Sequence, residues 1–125
     1  MKAVITRLPA TAWSVIIVIA SLNSSENLNE IKFDIPGLDK MVHFIMYGVL
    51  SFLLLWTVDK VSKTRLKLQN LIVVILVSSG FGILMEILQK TLTTVRNFDI
   101  YDIIANIIGI LLGCGVYVIR FKPFK

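Results

Sequence analysis

The stretch from Gly80 to Gly113, GFGILMEILQKTLTTVRNFDIYDIIANIIGILLG, constrains the fold more than any other part of the chain. Two strongly apolar runs flank a polar hairpin. Glu86 and Gln89 end the first run, Asn106 lies inside the second, and Arg96, Asp99 and Asp102 sit in or beside the turn. Hydrocarbon accepts such groups only at a cost, so an ionisable side chain in a membrane span is by default a functional-site hypothesis. The rest of the chain is read as the scaffold that brings partners to this hairpin.

Backbone groups inside a bilayer must be satisfied within the chain, which favours helices for apolar runs of this length. Four such runs occur, at about 8–22, 40–58, 68–89 and 100–119. The expected fold is all-α, an integral membrane bundle of four transmembrane helices forming one domain over 1–125. The hydrophobic content of 56% agrees, exceeding the roughly 45–50% of a soluble domain. The first run is short against the ~20 residues a span needs. It reads either as a retained first helix, which is preferred, or as the apolar region of a signal peptide cut after Ala20. Pro9 is expected in the first turn, where its missing N–H is harmless. Residues 23–40 form the longest polar loop, with Ile31, Phe33, Ile35 and Leu38 giving it a partly apolar side. Pro36-Gly37 marks a turn before the second span. Asp39 is expected as its cap or first-turn residue.

The net charge of +5 does not indicate nucleic acid, because the basic residues lie in short groups between apolar runs rather than in one stripe. That distribution is the positive-inside pattern. With the N-terminus inside, nine basic residues fall on the inner side and four on the outer. Both termini are therefore expected in the cytoplasm. The single cysteine, Cys114, can form neither an intrachain disulfide nor a metal site by itself.

This topology gathers the unusual polar residues on one side. Asp39, His43 and Tyr47 follow i, i+4, i+8 at the start of the second span and share a face. Glu86 and Gln89 close the third, and Asn106 lies about two turns into the fourth. At about 1.5 Å per residue, His43, Glu86 and Asn106 each fall within roughly 10 Å of the outer boundary. On the fourth helix Asp99, Asp102, Asn106, Gly109 and Gly113 make one seam, while Ile103, Ile107, Ile110 and Leu111 are expected to face lipid. Gly82, Glu86 and Gln89 share a face of the third. Gly48, Gly82, Gly109 and Gly113 are the expected helix-packing positions.

Asp39-Lys-x-x-His43-Phe-x-x-Tyr47-Gly48, then Glu86-x-x-Gln89, Arg96, Asp99-x-x-Asp102, Asn106, Gly109 and Gly113 resemble the VanZ-like family, over roughly 37–118. The resemblance implies a small bacterial protein of the cytoplasmic membrane, often with four spans, and a cell-envelope role. It also implies a link with low-level resistance to the glycopeptide teicoplanin, without defining a reaction.

Several readings of the polar set stand side by side. Its members pair to lock helix ends together. Or Asp39, Lys40, His43, Tyr47, Glu86, Gln89, Arg96, Asp99, Asp102 and Asn106 bind the headgroup of a lipid or a lipid-linked cell-wall precursor, with Lys40, Arg96 and Lys90 meeting phosphate. Or His43 and Glu86 act as acid and base on a headgroup, although no nucleophile motif accompanies them. A non-enzymatic role is favoured, with a small subunit working through a partner as a further class. No cofactor and no metal are expected, since the separations of His43, Glu86, Asp99 and Asp102 diagnose no ligand set. The Gly109/Gly113 face is a candidate for pairing two chains.

Overall fold

Each apolar run forms one helix: α1 (Lys2–Asn27), α2 (Leu38–Val61), α3 (Leu68–Leu92) and α4 (Ile100–Phe121). All four are long and apolar enough to cross a membrane, and the described residues contain no strand. The computed structural model describes residues 1–27, 36–62, 66–93 and 97–121. Arg96 and the apolar side expected at Ile31, Phe33 and Ile35 lie outside the described residues.

Helix α1 is longer than the run at 8–22 and places Pro9 in its interior rather than in the first turn. Nothing in residues 2–8 breaks a helix, and the cost of Pro9 is confined to one lost bond, to the Ile5 carbonyl, and local crowding. Helix α2 starts after Gly37, which takes a left-handed φ of 83°. That conformation is open to glycine without strain, and it leaves Asp39 in the first turn rather than at the cap.

The most extensive contact is between α2 and α4, with α3 against both and α1 against α2 and α3. Glycines make the α2–α4 contact close. A Cβ added at Gly109 would land on the Phe44 carbonyl, and one at Gly113 on the Gly48 carbonyl. Removing side chains lets backbones meet and gain dispersion contacts that lipid cannot match. The Ser51 hydroxyl, fully buried, lies 3.0 Å from the Gly48 carbonyl and 3.1 Å from that of Ile110, crossing the seam. The face of α4 on which a second chain was considered thus meets α2 of the same chain.

Because α4 packs on two helices, its buried arc is wider than one seam. Ile110, expected to face lipid, is fully buried, whereas Ile107 and Leu111 are exposed. The core joins Ile17, Tyr47, Leu50, Val74, Met85 and Tyr117. At the end of the bundle away from the hairpin, the Tyr117 hydroxyl donates to Asp59 Oδ2 at 2.7 Å. Trp13 Nε1–H donates to the Met46 carbonyl at 2.9 Å and ties α1 to α2.

Candidate functional site

The first turns of α2 and α4 and the last turns of α3 meet at one end of the bundle. His43 stands at the centre. Its Nδ1 lies 3.1 Å from Asn106 Oδ1. Its Nε2 faces Glu86 Oε1 at 3.8 Å, Asp102 Oδ2 at 3.8 Å and Asp39 Oδ1 at 3.9 Å. Three helices thus aim carboxylates or an amide at one imidazole. His43, Glu86, Asp102 and Asn106 are all buried, Glu86 and Asn106 to 2% exposure.

Lys40, one turn before His43, reaches across to α4. Its ammonium donates to Asp99 Oδ2 at 3.0 Å and to Asp102 Oδ1 at 3.4 Å. An ammonium has three donors, so one N–H remains for another acceptor on this partly exposed side chain. Asp99 is the N-cap of α4: its Oδ1 accepts from the Tyr101 backbone N–H at 2.8 Å. That amide, and then the Lys40 ammonium, hold the Asp99 carboxyl below the usual aspartate range.

Tyr47 lies one turn beyond His43 with its ring parallel to the imidazole, centroids 6.4 Å apart. Gly82 of α3 makes room for this layer. A Cβ there would stand 3.0 Å from Asn106 Nδ2 and 3.2 Å from the Tyr47 ring. The Tyr47 hydroxyl and Asn106 Nδ2 are buried without a hydrogen-bond partner among the described residues.

The structure therefore gathers Asp39, Lys40, His43, Tyr47, Glu86, Asp99, Asp102 and Asn106 at one place. Gln89 is diverted: its side-chain amide donates to the Ser21 carbonyl at 3.0 Å and fastens α3 to α1. Lys90 is exposed on α3. The sequence reading did not single out Ser21, Ser51 or the Asp59–Tyr117 pair. Ser21 could have been found as the next step, i+4, along the face of α1 that buries Ile17.

Lys40 meets two carboxyl groups, of Asp99 and Asp102, and His43 faces those of Asp39, Glu86 and Asp102, so acidic groups outnumber basic ones at this end among the described residues. Such a site attracts cations. One turn beyond Lys40 and Asn106, an apolar groove of about 270 Å³ opens along the α2–α4 seam, lined by Phe44, Val49, Phe52, Gly109, Leu112 and Val116.

A VanZ/LLP1 family model matches residues 3–121, nearly the whole chain. An uncharacterized protein of Schizosaccharomyces pombe is 30% identical over 88 residues, which is 70% of this chain and 51% of that protein. The chain thus spans about half the length of this curated relative. No solved structure matches.

Proposed function

This chain belongs to the VanZ/LLP1 family, and from that membership we propose that it serves the cell envelope by binding the phosphate-bearing headgroup of a membrane lipid or lipid-linked precursor. The observation that carries this reading is the meeting of buried polar side chains from three membrane-length helices at one end of the bundle. In the positive-inside orientation that end lies in the outer leaflet. His43, Glu86 and Asn106 then sit within roughly 10 Å of the interface, at headgroup depth.

Lys40 supplies the phosphate contact through its remaining N–H. The apolar groove, one turn further along α2 and α4, suits the hydrocarbon attached to such a headgroup. The carboxylates behind Lys40 repel a phosphate unless a cation neutralises them. In a bacterial host, sequestering or shielding an outer-leaflet precursor would lower the action of teicoplanin, as the family resemblance implies.

Photocrosslinking tests the reading. A phospholipid carrying a diazirine in its headgroup is incorporated with the protein into nanodiscs, and adducts are mapped by mass spectrometry. The expected adducts concentrate on the first turns of α2 and α4 and fall several-fold in Lys40→Gln. Labelling at that end no stronger than at the Asp59–Tyr117 end, and equal in both proteins, contradicts it.

A further inference from the structure

The imidazole of His43 carries the argument. Among the described residues its Nε2 has no hydrogen bond. The oxygens it faces stand 3.8–3.9 Å away, beyond the roughly 3.2 Å reach of an N–H···O bond. Two ligands of one ion, each bonded at about 2.0–2.2 Å, stand roughly 3.3–4.4 Å apart. The spacing around Nε2 falls in that interval. Nε2 of His43 and carboxylate oxygens of Asp39 and Asp102 all lie within 4.8 Å of one another.

His43 and Asp102 also have outer partners in place. Asn106 Oδ1 accepts from Nδ1–H, which leaves Nε2 as the ring nitrogen turned towards the carboxyl groups. Lys40 holds Asp102 by Oδ1 and leaves Oδ2 turned towards Nε2. His43 and Asp102 thus each have one side anchored and the other directed inwards. The Tyr47 hydroxyl is buried in the layer next to the imidazole with no hydrogen-bond partner among the described residues.

We propose that His43, Asp39 and Asp102 bind one divalent transition-metal ion. Mixed imidazole and carboxylate donors without thiolate suit zinc or manganese. The ligand set differs from the one considered from sequence, because Asp99 is taken by the α4 cap and Lys40 and its place is filled by Asp39. Such an ion departs from the expectation of no metal. It would turn a site that repels phosphate into one that accepts it. The inference stands without the headgroup reading, since it rests on the geometry around Nε2 alone.

His43 is the sole histidine of the chain, so ¹⁵N-histidine labelling reports on this ring only. The experiment uses untagged full-length protein in dodecyl maltoside, free of phospholipid, titrated with ZnCl₂. Zinc should move the Nε2 resonance in one saturable step, leave Nδ1 protonated and stay with the protein after desalting at one ion per chain. Asp39→Asn, at a half-exposed position, and Asp102→Asn should each weaken binding ~10-fold or more, with helix content retained. A histidine spectrum that zinc leaves unchanged would overturn the proposal. So would a zinc response unchanged in both variants. Crosslinking to a headgroup is read separately, in nanodiscs with and without chelator.

Discussion

His43 of α2 and Asn106 of α4 are joined by a contact of 3.1 Å between Nδ1 and Oδ1, and neither is more than 6% exposed. The contact settles which imidazole nitrogen faces the carboxylates of Asp39, Glu86 and Asp102. It also fixes the register of α2 against α4 on the polar side of a seam whose apolar side is set by glycines. Packing and chemistry are therefore coupled through two side chains.

Asn106→Leu removes the acceptor while keeping similar bulk. The imidazole should then lose its tautomer preference, and the bundle should lose about 1–3 kcal/mol from a buried donor left unmade. Asn106→Asp retains an acceptor and should keep the Nδ1–H tautomer. Histidine ¹⁵N shifts and thermal unfolding in detergent check both expectations.

The glycines of α4 are not equivalent. Gly109→Ala drives a methyl into the Phe44 carbonyl, whereas Gly115→Ala meets nothing within 4 Å. Gly109→Ala should cost about 1–3 kcal/mol or more by overpacking, and Gly115→Ala should be neutral or slightly stabilising. Unfolding in a common detergent, with monomer size followed by gel filtration, gives the comparison.

Lys40 bridges α2 to α4 through Asp99 and Asp102, with Asp102 the buried member. Lys40→Met leaves the Asp102 charge without its ammonium and should destabilise by about 1–3 kcal/mol, less than a fully buried pair because Lys40 is 41% exposed. Asp102→Asn in the same chain should recover part of that loss. A double-mutant cycle on thermal unfolding measures the coupling.

Asp99 gives a pH dependence of known sign. Its folded-state carboxyl is depressed, first by the Tyr101 amide and then by Lys40. A depressed carboxylate contributes stability that is present above its unfolded value and is lost as pH falls through its folded value. The Tyr101 amide resonance should therefore hold constant from neutral pH into the ordinary carboxylate range and shift only below it. Asp99→Asn, itself a good cap, should abolish that titration while keeping the first turn of α4.

The four helices were legible in the sequence because hydropathy runs are long compared with the uncertainty of their ends. The polar ends of α2, α3 and α4 were legible too, since Asp39 to Tyr47, Gly82 to Gln89 and Asp102 to Gly113 each repeat at helical spacing. Spacing names a face but not its neighbour. Gln89 shares the face of Glu86 yet meets Ser21 of α1, because one further turn carries it past His43. Asp99 precedes α4 and is taken by its backbone and by Lys40, so it does not reach the imidazole with Asp102. Ile110 lies beside the glycine seam and is covered because α4 touches two helices at once. Which helices touch depends on side-chain packing across the whole bundle, and a single helix wheel does not contain it. Arg96 lies outside the described residues.

Native mass spectrometry of the chain released from phospholipid nanodiscs tests the central claim most directly. Wild type should leave the membrane with one phospholipid retained per chain. Lys40→Gln should lose that lipid several-fold, while an equally stable variant at the opposite end, Tyr117→Phe, retains it. Equal retention by all three proteins, or none by wild type under conditions that keep the bundle folded, would contradict a headgroup site at His43 and Lys40.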